Sequence, residues 1–125
     1  MSIIDHVGIA ATDFPRSRAF YTAALGALGI KELTFFEVDG GSYAGYGKDN
    51  ASFWLSSGKT HRGEAHIAFT AASRAEVESF FLAALANGGR DNGPPGLRPH
   101  YHPNYFGAFV FDPDGHNIEA VYHGG

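Results

Sequence analysis

Asp5-His6-Val7-Gly8-Ile9 and Ala65-His66-Ile67-Ala68-Phe69 stand at the same register in a chain that repeats itself at an interval of 60 residues. The register runs on without a gap. Phe20 falls on Phe80, Ala23 on Ala83, Ala24 on Ala84, Leu25 on Leu85 and Gly29 on Gly89. A fixed internal period of this kind marks a doubled structural unit. Each copy opens with a strand, because alternate residues point to opposite sides of a sheet. Val7 and Ile9 share one side, and His6, Gly8 and Ala10 the other; Ile67 and Phe69 oppose His66, Ala68 and Thr70 in the same way. Each histidine therefore lies among small residues, with open space around its ring.

A helix follows in each copy. The first is signalled by Asp13 as N-cap, Pro15 in the opening turn, and Arg18, Tyr21, Leu25 and Leu28 at helical spacing before Gly29. In the second, Ser73 and Glu76 form a capping box ahead of Val77, Phe80, Phe81, Ala84 and Leu85, with Gly88-Gly89 beyond. Three strands complete the first copy: Lys31 to Val38, Ser42 to Gly47 and Ala51 to Ser56. In the second copy the Pro- and Gly-rich stretch from Asn92 to Pro103 predicts a short or irregular strand and a long loop. Strands from Tyr105 to Phe111 and Asn117 to Tyr122 then flank the turn Asp112-Pro113-Asp114-Gly115. The pattern is βαβββ twice, so the fold class is α+β: two modules, 1–57 and 62–125, whose curved mixed half-sheets enclose a cleft, with helices on the outer faces. The 125 residues suit one domain.

Composition narrows the function. With 44% hydrophobic and 18% charged residues the chain is a soluble globule, and its net charge of −4 without a basic cluster predicts neither a nucleic-acid nor a membrane partner. There is no cysteine, so a metal would have to be held by imidazole and carboxylate. The N-terminus lacks the pattern of a secretory signal, which makes the cytoplasm the default location.

If the modules pack about a pseudo-two-fold axis, His6 and His66 share one cleft. Glu119, on the last strand beside Asn117 and Val121, supplies a third ligand. Two imidazoles and a carboxylate suit one divalent ion of Fe, Mn, Co, Ni or Zn, with positions left open for water or substrate. A single strand histidine is more often a packing residue than a ligand. The joint pattern is more specific, since packing does not require it.

These residues, together with Phe20-Tyr21 and Asp112-Pro113-Asp114-Gly115-His116-Asn117-Ile118-Glu119, make the chain resemble the vicinal oxygen chelate superfamily. That superfamily comprises glyoxalase I, extradiol ring-cleavage dioxygenases, fosfomycin-resistance transferases and bleomycin-binding proteins. The resemblance spans essentially the whole chain. It implies metal ligands at His6, near Trp54, at His66 and at Glu119. Trp54 departs from the pattern, because glyoxalase-like relatives carry a carboxylate there and an indole cannot ligate a metal. The isomerisation chemistry of glyoxalase I thereby becomes less expected. Trp54 reads equally as a flat wall for a planar ligand and as a core side chain. The dioxygenase resemblance implies an acid/base histidine at His102, and it places Phe109 where those enzymes have a tyrosine.

The loop Arg98-Pro99-His100-Tyr101-His102-Pro103-Asn104-Tyr105 gathers an arginine, two histidines and two tyrosines. His102 and Tyr105 are candidate catalytic groups, while Arg98, Trp54 and Phe109 are candidate substrate contacts. A proline-stiffened cover over the cleft is the equal alternative for the loop. His61, His116 and His123 read as turn or end residues without a role. The resemblance further implies a homodimer, and the metal site could lie within one chain or join His6 of one subunit to His66 and Glu119 of the other. The leading expectation is a metal-dependent lyase, isomerase or dioxygenase acting on a small substrate chelated through neighbouring oxygens. The alternative is a bleomycin-resistance-type module that binds a small molecule without catalysis.

Overall fold

The computed structural model describes residues 3–59 and 65–124. Its elements are β1 (Val7–Ala11), α1 (Phe14–Gly26), β2 (Lys31–Val38), β3 (Gly41–Gly47), β4 (Ala51–Ser57), β5 (His66–Thr70), α2 (Arg74–Ala86), β6 (Arg90–Leu97), β7 (Phe106–Phe111) and β8 (Asn117–Tyr122). The doubled βαβββ order read from the repeat is present. Each module forms a four-stranded mixed sheet, ordered β1-β4-β3-β2 in the first and β5-β8-β7-β6 in the second. The parallel pairs are β1 with β4 and β5 with β8, the pairs whose connections contain a helix.

Local chemistry starts and stops these elements. The Asp13 carboxylate accepts from the Arg16 amide at the head of α1. Ser73 Oγ accepts from the Glu76 amide at the head of α2, and the Glu76 carboxylate reaches back to the amide of Ala72, one residue before the cap. Asp39 and Gly40 both have positive φ (50° and 78°), so the hairpin between β2 and β3 turns with the twist of its strands.

The second module differs from expectation at one place. Instead of a long irregular loop from Asn92, β6 runs the full eight residues Arg90–Leu97, through Pro94 and Pro95. It is an edge strand, where a missing N–H costs no ladder bond on its outer side. Register shifts between Asp91 and Gly93 and between Gly93 and Gly96 absorb the extra residues. The loop proper is confined to Arg98–Tyr105.

One core serves both modules. The helices pack on each other, and Phe20, Tyr21, Leu25, Val77, Phe80 and Ala84 belong to the same buried cluster as Phe53, Ala108, Val110, Ile118 and Ala120. Each sheet thus turns one face to the helices and leaves the other open, the open face of the second sheet bearing His66. The modules are tied by Asp112, from the turn after β7. Buried in the core, it accepts from the Tyr21 hydroxyl (2.5 Å) and from the amides of Asp114 and His116 (both 2.9 Å). Burial, and after it the Asp112 charge, push the Tyr21 phenol well above its usual pKa. His116, expected to be an idle turn residue, is buried and accepts from the Ala65 amide at the entry to β5. His61, expected to be a turn or end residue, lies outside the described residues.

Replacing Asp112 by Ala strips three donors of their acceptor, two of them buried, so Asp112→Ala should cost about 3 kcal/mol of unfolding free energy. Urea denaturation measures it, and a loss under 1 kcal/mol would mean that the tie is not structural.

Candidate functional site

The second module concentrates the chemistry on its open face. Phe109 on β7 pairs directly with Glu119 on β8, and Glu119 with Ala68 on β5; His66 pairs with Asn117 two residues along, on the same face. The resulting cavity, about 720 Å³, is lined by His66, His100, Tyr101, His102, Tyr105, Phe109, Asn117 and Glu119. A second cavity of about 620 Å³ lies where Lys48, Phe53 and Asp5 meet Phe69 and Thr70. It lacks any histidine, so the first is the better candidate for a chemical site.

Glu119 should be exposed on an open sheet face, yet it is 2% exposed. The loop explains this, for Tyr105 folds over the carboxylate and its hydroxyl donates to Oε2. Gly107 makes the fit possible, since a Cβ there would come within 3.2 Å of the Tyr105 ring and 3.3 Å of Glu119 Oε2. The other oxygen, Oε1, lies 3.2 Å from His66 Nε2. His66 Nδ1 is 3.1 Å from the Asn117 carbonyl. A carbonyl can only accept, so Nδ1 carries a proton and a neutral His66 presents its lone pair at Nε2. A lone pair and an ionised carboxylate oxygen then face each other across 3.2 Å, and only a cation, either a proton or a metal ion, makes the contact favourable. A histidine that donates its remote N–H to a carbonyl while turning its other nitrogen to a carboxylate has the arrangement of a metal ligand. The donor set therefore fits two positions of a divalent ion. Among the described residues no third histidine, aspartate or glutamate of the same chain completes the group.

His6 does not reach the sheet: it immediately precedes β1 of the other module, its side chain 61% exposed and Nδ1 2.7 Å from Asp5. Trp54 also belongs to the first module, where it pairs with Gly8 and Gly45 and meets Phe36, itself stacked on Tyr43. These rings form an aromatic surface on the open face of the first sheet, apart from the His66 cavity. Phe109 is in the cavity, stacked with His66 at 6.3 Å. Arg98 stands beside it, its guanidinium 5.4 Å from the Phe109 ring centre.

His102 lines the cavity, but both of its nitrogens are engaged. Nδ1 accepts from the Asn104 amide (3.1 Å), so Nε2 holds the proton and donates it to His123 Nδ1 (2.9 Å). His123, assigned no role in the sequence reading, is thus part of the loop's support, and its ring also meets Tyr105 edge-on. Its position just past β8 was the available signal. Tyr105 acts on the site through Glu119, which makes it a positioning residue.

Burial and then the hydrogen bond to Glu119 raise the Tyr105 phenol above its usual pKa of 10. A raised folded-state value means that its stabilising contribution is whole below pH 10 and is lost as pH rises through the folded value. Ultraviolet titration should show one fewer late-ionising tyrosine in Tyr105→Phe than in the parent protein. Loss of a tyrosine that ionises in the ordinary range would contradict the Glu119 contact.

Comparison with known proteins agrees with this architecture. The family model of the glyoxalase/bleomycin resistance protein/dioxygenase superfamily matches residues 3–120. A glyoxalase/bleomycin resistance protein from Albidiferax ferrireducens superposes with a TM-score of 0.75 at 27% identity, over 97% of this chain and 98% of that one. Glyoxalase I from Zea mays superposes at 0.71 with 25% identity, over 95% of this chain and 45% of its own length, so this chain spans about half of that enzyme. A domain from Frankia sp. named for the same superfamily shares the fold at 22% identity and a TM-score of 0.72, with 98% of each chain covered. No functionally curated protein matches the sequence. The chain belongs to the glyoxalase/bleomycin resistance protein/dioxygenase superfamily.

Proposed function

We propose that the protein is a metal-dependent enzyme acting on a small substrate with neighbouring oxygens. The observation that carries this reading is the facing pair His66 Nε2 and Glu119 Oε1, whose remaining polar atoms are already committed to Asn117 and Tyr105. His66 and Glu119 would hold the ion, and His6 would be the third ligand. Within one chain His6 does not join them. Its supply by a second copy, in a homodimer whose first module covers the partner's His66 face, resolves this. When bound, the ion supplies a Lewis acid that can polarise two adjacent substrate oxygens.

The chain's own groups do the rest. Tyr105 keeps Glu119 Oε2 occupied, so that Oε1 is the carboxylate oxygen that would serve an ion. Phe109 and His66 offer a flat wall for a planar substrate. The His102–His123 pair stores a proton at the cavity edge and would release it to a substrate only by breaking its own hydrogen bond. The Phe36–Tyr43–Trp54 surface favours the second reading, a module that binds a planar ligand without reaction.

Protein purified without added metal or affinity tag should carry about one divalent ion per chain by elemental analysis. His66→Ala and Glu119→Ala should lose it, and Tyr105→Phe should weaken it by about 10- to 100-fold, the usual worth of such a partner. Folded variants that keep full metal content would overturn the assignment. Tight binding of planar ligands by metal-free protein, with no metal uptake, would establish the second reading instead.

A further inference from the structure

The His66 cavity does not end at Phe109. Beyond that ring the face continues into a cavity lined by Asn92, Gly93, Arg98, His100, Tyr101, Phe109 and Asn117. Four of these residues, His100, Tyr101, Phe109 and Asn117, line both spaces, so the two are one groove. Its far end is basic. The Arg98 guanidinium donates from Nη1 to the Gly96 carbonyl (2.9 Å) and from Nη2 to the Pro94 carbonyl (2.8 Å), which fixes its plane without neutralising its charge. No ion pair joins it to a carboxylate among the described residues.

The strand that was expected to be irregular is shaped around this group. A Cβ on Gly93 would lie 3.2 Å from Arg98 Nη2, and one on Gly96 would lie 3.2 Å from Nη1. Gly93 also has φ +147°, a conformation open to glycine and strained for other residues. The bulged Gly-Pro-Pro-Gly segment thus makes room for the guanidinium and pins it from below. Asn117 adds a donor beside it, because its Oδ1 accepts from Asn92 Nδ2 and its own amide NH₂ remains to serve a ligand.

The register gives the length of the groove. Gly93 pairs with Phe109, and Phe109 with Glu119, so Arg98 above Gly93 stands two strands from the Glu119 carboxylate. Two strand spacings are about 10 Å. Phe109 stands between the two ends, its ring 5.4 Å from the Arg98 guanidinium and 6.3 Å from the His66 ring, so a planar anion that reaches from one end to the other runs along that ring. We propose that the substrate is an aromatic or similarly planar acid, its anionic group held by Arg98, its ring lying along Phe109 and its reactive oxygens at His66 and Glu119. This rests on the metal-dependent reading, to which it adds a substrate class and a residue that sets specificity.

Two chelating probes that differ only in the anionic arm provide the test: benzohydroxamate and 4-carboxybenzohydroxamate, each titrated calorimetrically into cobalt-loaded and metal-free protein. The cobalt-loaded protein should prefer the carboxylated probe by about 10- to 100-fold, the worth of a charge-assisted hydrogen bond. Arg98→Gln should erase that preference while leaving the affinity for benzohydroxamate unchanged, and Arg98→Lys should keep part of it. Equal affinity for both probes in the parent protein would overturn the proposal, as would an Arg98→Gln variant that loses both probes alike. Metal dependence is read separately: a preference of the same size in metal-free protein would sustain Arg98 and sink the chelation reading. Failure of both probes in both states would sink the two together.

Discussion

The contact between His66 Nε2 and Glu119 Oε1 constrains the rest of the site. A buried carboxylate needs compensation, because desolvating an isolated charge costs several kcal/mol even after relaxation. Tyr105 supplies one hydrogen bond, but the second oxygen faces a nitrogen whose partner atom is already bonded to the Asn117 carbonyl. The surrounding structure serves this arrangement. Gly107 clears room for Tyr105 against the carboxylate, and the Arg98–Tyr105 loop seals it. The His102–His123 bond fastens that loop to the segment after β8.

The doubled architecture explains why such a site sits at the open face. One core, formed where the two helices meet, consumes the apolar side of both sheets. The opposite sides are freed from packing duty and can carry His66, Glu119 and Phe109 on one sheet, with Phe36, Tyr43 and Trp54 on the other. An open aromatic face and an open polar face remain, each incomplete alone, and in the proposed homodimer a second copy would bring them together.

Much of this was legible in the sequence because it rests on period-two alternation and on a repeat. His66 and Glu119 could be placed on one face from strand parity alone, and the caps at Asp13 and Ser73 could be read from residue type. Three things were not legible. Strand β6 was obscured by its glycines and prolines, since bulges at an edge let an unpromising sequence pair. His116 and His123 looked idle because their partners, the Ala65 amide and the His102 ring, are fixed only by tertiary packing. The separation of His6 from His66 was hidden for the same reason, as spacing along a chain does not say whether two equivalent strands face each other or face away.

A site shared between copies would take His6 from one chain and His66 and Glu119 from the other. Subunit mixing tests it most directly. His6→Ala and His66→Ala chains are prepared metal-free, mixed, allowed to exchange, and assayed for bound ion. Each variant alone should hold none, whereas the mixed dimer rebuilds one intact site and should recover about one ion per dimer. A mixture that stays as empty as its components, or a His6→Ala protein that keeps its full metal content, would contradict the account.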